Sequence, residues 1–221
     1  MQNKLGGMAL LRNIRNMVES GVDNDIIKAA INKMDTKKIL PFRFIAAAKY
    51  GPTFEPELEG ALFRNTLDSM KLHGKTILMV DVSGSMDEAL SGKSDMNRRD
   101  AACALAMICR EVCDDVEIYS FSYNTILIPP RRGFALRDAV VNSQGHGGTR
   151  LSEAVSVANA KQYDRLIVIT DEQAQSPVSA PNGKGYMINV SSNKNGVGYG
   201  SWVHLDGMSE SIIRYIQELE K

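Results

Sequence analysis

The sequence predicts an α/β protein, a doubly wound and mostly parallel sheet preceded by a small all-α segment of HEAT-like helices. Three observations carry this. The first third of the chain has its apolar residues only at helical spacing. Beyond it, Thr76-Ile77-Leu78-Met79-Val80 and Arg165-Leu166-Ile167-Val168-Ile169 are short continuous apolar runs, the mark of strands buried on both faces. Helical-period segments separate those runs, and strands alternating with helices build a parallel, Rossmann-like sheet with crossovers. The 221 residues suffice for one medium domain and a smaller partner, divided here into 1–72 and 73–221.

In the first part, Met8, Leu11, Ile14, Met17 and Val18 recur at helical spacing, and Gly21 follows as a stop signal. Asp23 or Asn24 can cap a second helix with Ile26, Ile27, Ala30 and Ile31 on one face. Asp35 opens a turn, Pro41 starts a helix carrying Phe42, Ile45 and Ala48, and Gly51-Pro52 breaks it. Pro56 begins a longer helix through Leu58, Ala61, Leu62 and Met70. Four or five short antiparallel helices without strands read as a fragment of an α-solenoid.

In the second part a strand over 76–80 leads to a polar loop and a helix over 97–112. Segments 116–121 and 125–128 form a hairpin whose second strand lies antiparallel at the sheet edge. Helices are expected over 134–141 and 151–160, then the buried strand 165–169 and weaker strands over 186–190 and 202–205. Ser209 caps a last helix with Ile212, Ile213, Ile216 and Leu219 inward.

Lys plus Arg equals Asp plus Glu, so net charge gives no push toward nucleic acid or membrane. Residues 1–72 hold 11 basic and 8 acidic side chains, a small positive excess that the rest of the chain offsets. The three cysteines, Cys103, Cys109 and Cys113, fall in one apolar helical pattern, which suits buried thiols in a reducing cytosol rather than a disulfide framework. No apolar run is long enough for a membrane span, and no signal-peptide core precedes the first helix. Asn189-Val190-Ser191 is a formal glycosylation acceptor without meaning in a cytosolic protein.

The chemistry concentrates at the ends of the two buried strands. Asp81-Val82-Ser83-Gly84-Ser85 follows the first, and period-two geometry puts Asp81, Ser83 and Ser85 on one side of an extended segment. Thr170-Asp171 ends the second, at the same edge of the sheet. Gly145-His146-Gly147-Gly148-Thr149 allows close backbone approach and offers a further hydroxyl. Carboxylates and hydroxyls are hard donors that suit Mg²⁺, with Mn²⁺ or Ca²⁺ as alternatives. The plainer reading is an Asp81 that caps a helix beside a Ser-Gly-Ser loop. His146 reads as a loop residue, while His73 and His204 carry no signal.

Enzyme readings fail residue by residue. A phosphate-binding loop ending at Gly92-Lys93-Ser94 needs glycine where Asp87 stands. An aspartyl-phosphate phosphatase needs a second Asp where Ser83 stands, and the hydrolase elbow G-x-S-x-G is absent. Gly196-Val197-Gly198-Tyr199-Gly200 lacks the third spaced glycine of a dinucleotide site. A non-catalytic binding protein is the expectation.

The D-x-S-x-S sequence followed by Thr149 and Asp171 resembles the metal-ion-dependent adhesion site of the von Willebrand factor A and integrin I-domain superfamily. That resemblance implies that Ser83 and Ser85 bind the metal directly. Thr149 and Asp171 would exchange direct for water-mediated contact, with Asp81 behind them. Leu10-Leu11-Arg12-Asn13-Ile14-Arg15-Asn16-Met17 and Leu40-Pro41-Phe42-Arg43-Phe44-Ile45-Ala46-Ala47-Ala48-Lys49-Tyr50, placed before this domain, resemble the Ro autoantigen (TROVE) family. The resemblance runs from about Leu5 to the end and includes Gly147-Gly148-Thr149 and Thr170-Asp171-Glu172.

Members of that family are cytoplasmic RNA-binding proteins whose helical repeats close into a ring with the von Willebrand A domain. They bind small noncoding Y RNAs and the ends of misfolded RNAs. Their helical module is several times longer than 1–72, which leaves two expectations: upstream repeats were removed or lost, or several copies assemble into a ring or other homo-oligomer. The cations available to RNA are Arg12 and Arg15, on one helix face with Asn16, together with Lys37, Lys38, Arg43 and Lys49. A solvated helix face is the plainer reading of each. Phe42, Phe44 and Tyr50 read as core before they read as base-stacking platforms. The implied function is a ribonucleoprotein component with a Mg²⁺-dependent site for an acidic residue of a partner or neighbouring subunit. The alternative is a metal-dependent protein–protein interaction module that binds no RNA.

Overall fold

In the computed structural model, residues 5–36, 39, 42–64, 71–90, 92, 96–173, 176–191, 200–207, 209 and 211–221 are described. The chain divides into two compact units, Met1–Ser69 and Met70–Lys221.

Helical spacing in the first unit becomes α1 (Gly7–Glu19), α2 (Asn24–Lys33), α3 (Phe42–Tyr50) and α4 (Glu55–Arg64), with a 3-10 turn at Pro52–Phe54. The expected stop at Gly21 is a Schellman ending. Gly21 takes a φ of 68°, its amide donates to Val18 O at 3.0 Å, and the Val22 amide donates to Met17 O at 3.0 Å. Asp23, rather than Asn24, caps α2 by accepting the Asp25 amide at 2.8 Å. α1 packs on α2 and α3, and α4 packs on the same two helices.

The inward faces match expectation at Leu11, Ile14, Ile27 and Ile31 and differ at their margins. Leu10, Leu11 and Ile14 are the buried residues of α1, while Val18 is exposed and Met8 and Met17 are half-buried. On α2, Ile27 and Ile31 are buried and Ile26 is exposed. Short helices bury only the narrow stripe their neighbours cover, so apolar residues at its margin remain in water. α4 starts at Glu55, one residue before Pro56, and Met70 lies outside the described residues.

The second unit contains β1 (Leu72–Asp81), α5 (Arg98–Val112), β2 (Cys113–Phe121), β3 (Thr125–Leu127), α6 (Gly133–Val141) and α7 (Leu151–Asn159). It continues with β4 (Arg165–Thr170), β5 (Lys184–Asn189), β6 (Trp202–Asp206) and α8 (Ser211–Leu219). The sheet order is β3-β2-β1-β4-β5-β6, with every neighbouring pair parallel except the β2–β3 hairpin at the edge. This is the doubly wound order, and its direction reverses between β1 and β4.

β1 and β4 are buried along their shared length because both faces are covered. On one face Ile77, Met79, Phe121, Leu166 and Val168 pack with Leu151, Val155 and Ala158 of α7. Alternation sends Leu78, Val80, Ile167 and Ile169 to the other face, and α5 packs against β1, β2 and β4. α5 begins with a capping box, in which the Asp100 amide donates to Asn97 Oδ1 at 2.7 Å and the Asn97 amide to Asp100 Oδ2 at 3.1 Å.

Two expectations need correction here. Cys113 is the first residue of β2, not part of the helix that holds Cys103 and Cys109. The helical pattern runs on through Cys113 because an apolar strand start is indistinguishable from a helix face over so few residues. All three thiols are buried and free, and burial raises each one, Cys103 to about 12. Leu219 of α8 is exposed, leaving Ile212, Ile213 and Ile216 as the buried stripe. Asn189 is buried in β5 and accepts the Ser191 amide at 2.9 Å, so its side chain is not available for glycosylation.

Candidate metal centre

Asp81 closes β1, and its carboxylate is fully buried. Oδ1 accepts the Ser83 amide at 2.8 Å, and Oδ2 accepts the Thr170 hydroxyl at 2.7 Å. Thr170 is the last residue of β4, so this second bond crosses the switch point. Burial pushes the Asp81 carboxyl up to about 6 against the hydrogen bonds from Ser83 and Thr170, and the charge of Asp171 adds to the rise. Such a carboxylate is short of positive charge.

Extended backbone continues only to Ser83. Gly84–Asp87 is a 3-10 turn, so Ser85 reaches the site by a bend rather than by strand alternation. The expected extended segment ends early because the turn closes with the Met86 amide donating to Ser83 O at 3.1 Å. The outcome for the donors is the one anticipated, since Ser83 Oγ and Ser85 Oγ lie 3.3 Å apart. Adjacent oxygens around Mg²⁺ stand about 3.0 Å apart, given octahedral bonds of about 2.1 Å. The serine pair therefore fits as neighbouring ligands.

The glycine loop is tied to both strands' ends. Gly147 N donates to Ser122 Oγ at 2.9 Å, Ser122 Oγ donates to Gly148 O at 3.1 Å, and Arg150 N donates to Ser122 O at 3.0 Å. Gly84 N donates to Gly147 O at 2.9 Å, locking the loop to the serine turn. A Cβ at Gly147 would fall on the Tyr123 ring, which is why this position has no side chain. Thr149 follows, buried, and among the described residues its hydroxyl makes no hydrogen bond.

Asp171 is fully buried one residue beyond β4. Its Oδ1 accepts the Gln173 amide at 3.3 Å, and its Oδ2 accepts Arg98 Nη1 at 2.9 Å. The next residue, Glu172, has a φ of 60° in the left-handed region, an uncommon conformation for a non-glycine residue that turns the chain sharply at the site. Glu172 Oε1 lies 2.9 Å from His204 Nδ1, and the Glu172 amide donates to Thr170 Oγ1 at 3.1 Å. Among the described residues no group of three His, Cys, Asp or Glu could hold a metal ion.

Arg98 was not anticipated. A sequence signal existed, because Arg98 and Arg99 open α5, where the helix dipole disfavours cations. Two buried arginines in that position point to carboxylates nearby. Arg99 pairs with Asp87, and Arg98 with Asp171 and Glu88. His146 Nε2 lies 2.9 Å from Val141 O, a loop anchor as expected.

The residues proposed for RNA are distributed unevenly over the first unit. Arg12 is exposed and lines a groove of about 660 Å³ with Gly6, Gly7, Met8, Ala9, Asn13, Asp35 and Ile39. Arg15 pairs with Glu19 at 2.9 Å and lies 5.2 Å from the Tyr50 ring centre, and the Asn16 amide donates to Asn13 at 3.4 Å. Arg43 is half-buried over the Phe42 ring, and Lys49 is exposed at the end of α3. Phe44 is core. Lys37 and Lys38 lie outside the described residues.

A mostly parallel sheet in this order, with Asp-x-Ser-x-Ser at the switch point and Asp171 just beyond the neighbouring strand, has the architecture of a von Willebrand factor A-type domain. Residues 75–183, just under half of the chain, match the family model described as the Ro60 vWA domain. The crystal structure of the Deinococcus radiodurans Ro (RSR) protein matches 92% of this chain and 50% of its own length, at 20% identity and a TM-score of 0.59. The chain thus spans about half the length of that protein. A conserved hypothetical protein BatB from Bacteroides thetaiotaomicron matches 66% of the chain and 97% of its own length at 17% identity, with a TM-score of 0.45. An aerotolerance-related membrane protein from Bacteroides fragilis matches 52% of the chain and 66% of its own, at 15% identity and a TM-score of 0.43. None of the curated proteins matches the chain. Among the described residues no helix is long and apolar enough to cross a membrane.

Proposed function

We propose that the second unit is a non-catalytic, Mg²⁺-dependent binding domain, and that the chain serves as a cytoplasmic RNA-binding component of a ribonucleoprotein, assembled as an oligomer. The observation that carries the metal reading is the Ser83–Ser85 oxygen spacing, which suits one hard cation, with the buried Asp171 near the same turn through Arg98. In this reading the two serines and Thr149 offer neutral oxygens, Asp171 offers charge, and Asp81 positions Ser83 through its amide. A bound Mg²⁺, or Mn²⁺ or Ca²⁺ in its place, supplies an exchangeable position that accepts a carboxylate from a partner protein or a neighbouring subunit.

Mg²⁺ at about 100 times its Kd is expected to stabilise the protein by about 2.7 kcal/mol. Ser83→Ala and Thr149→Ala should each lose most of that stabilisation in a thermal melt. A midpoint that responds to neither metal nor substitution sinks the metal reading.

RNA binding rests on the match of residues 75–183 to the Ro60 vWA domain model and on the exposed cations Arg12 and Lys49 together with the half-buried Arg43. Three phosphate contacts to single-stranded RNA give a slope of about −2 in log K against log salt. A gel-shift titration across salt concentrations checks this, with Arg12→Ala flattening the slope. The internal engagement of Arg15 with Glu19 and Tyr50 favours the other reading, a protein-interaction module without RNA. Absence of any shift at low salt would decide for that module.

A further inference from the structure

We infer that Arg98 is a built-in competitor for the metal, an internal cation that closes the site by occupying Asp171 until a divalent ion displaces it. The inference rests on the metal reading above and concerns how that site is regulated.

Asp171 has no exposure to solvent, and a buried carboxylate needs a compensating charge close by. Arg98 provides it, with Nη1 donating to Asp171 Oδ2 at 2.9 Å and to the Ser85 carbonyl at 3.3 Å. The guanidinium thus touches two of the segments that carry the metal donors. A second cation on the same carboxylate would face Arg98 at short range, where two like charges repel strongly. Asp171 can therefore satisfy one of them fully, not both.

The other end of the guanidinium shows where Arg98 can go. Its Nη2 meets Glu88 Oε2 at 2.6 Å, and that carboxylate side chain is 59% exposed while Arg98 is 7% exposed. Glu88 follows the Gly84–Asp87 turn that presents Ser85. Letting go of Asp171 while keeping Glu88 carries the charge toward water along the turn that forms the site. Arg98 also opens α5, where the dipole opposes a cation, so no gain from the helix holds it in place.

The test is Mn²⁺ affinity, read from the electron paramagnetic resonance of free Mn²⁺ during titration of the full chain. Arg98→Met is expected to bind Mn²⁺ about tenfold more tightly than wild type, within the usual range of coupling between two linked sites. Arg99→Met removes an equal charge from the next residue, which pairs with Asp87 instead. It should change the affinity far less, and an equal effect would reduce the proposal to long-range charge and overturn it. An Arg98→Met chain that folds only with Mn²⁺ also supports the proposal, since the metal then replaces the missing cation. If it does not fold at all, Arg98→Lys replaces it, expected to bind Mn²⁺ more tightly than wild type because an ammonium cannot span Asp171, Ser85 and Glu88. Affinity equal to wild type in that variant overturns the proposal. Wild type that binds Mn²⁺, Asp171→Asn that does not, and Arg98→Met no tighter than wild type would overturn this inference alone. Silence of wild type and Arg98→Met alike would overturn the metal reading with it, whereas binding by Arg98→Met alone is the proposal in its strongest form.

Discussion

Glu220→Gln is expected to lower the stability of the second unit by about 3 kcal/mol, the low end for breaking a buried ion pair by removing one partner. Arg165 is 2% exposed at the start of β4, and its guanidinium is satisfied on every side. Nε donates to Glu220 Oε1 at 2.8 Å, Nη1 to Thr76 Oγ1 at 2.9 Å, and Nη2 to His73 O at 3.0 Å and to the second Glu220 oxygen. Tyr186 adds its hydroxyl to Glu220 Oε1 at 2.9 Å. One carboxylate just beyond α8 thereby ties β1, β4 and β5 together at the end of the sheet opposite Asp81 and Asp171. With glutamine there, the shape survives but Arg165 keeps a buried charge without a counter-charge. Burial alone would raise the Glu220 carboxyl, but the hydrogen bonds from Arg165 and Tyr186 and the Arg165 charge outweigh it and leave it lowered. A carboxyl lowered on folding contributes stability above its unfolded value, near 4.5, and loses it as pH falls through the folded one. The deficit of the variant should therefore be full at neutral pH and shrink in acid below about 4. Urea denaturation at several pH values, with an unchanged slope, measures it. A neutral-pH difference below about 1 kcal/mol would mean that the pair is a surface-type contact after all.

The parts of the fold that were legible in the sequence were those fixed by local pattern. The continuous apolar runs at 77–80 and 166–169 can satisfy themselves only between two covered faces, which placed them in the sheet centre. Gly21 and Asp23 announced a helix end and a helix start through backbone chemistry that involves only neighbouring residues. The placement of Ser83, Ser85 and Asp171 was legible because these candidate donors follow buried strands, and strand ends meet at one edge in any parallel sheet. Non-local pairing was not legible. Nothing near Asp171 in the chain names Arg98, and nothing near Arg165 names Glu220, because those contacts depend on how strands and helices are ordered in space. The helical stripe was misjudged at Val18, Ile26 and Leu219 for the same reason, since which margin a neighbour covers is a tertiary property.

Asp171→Asn brings the two halves of this picture together, and its effect should reverse in a double variant. Without metal the substitution leaves Arg98 buried beside a neutral amide, with Glu88 as its remaining counter-charge. A loss of up to about 3 kcal/mol follows, since the buried guanidinium keeps only the exposed Glu88 as a partner. The same substitution removes the charged donor of the metal site, so added Mg²⁺ should restore nothing. Arg98→Met alone strands Asp171 instead and should cost a similar amount without metal, but here Mg²⁺ should recover most of the loss. With both residues neutral, no buried charge is left unpaired, and replacing a buried pair by residues of similar volume is often close to neutral. The double variant should therefore lie within about 1 kcal/mol of metal-free wild type, a coupling of several kcal/mol between residues in contact. Four metal-free denaturation curves and four with Mg²⁺ give the full cycle. Additive losses in the double variant would show that Arg98 stabilises α5 through Glu88 alone, and that Asp171 does not depend on it.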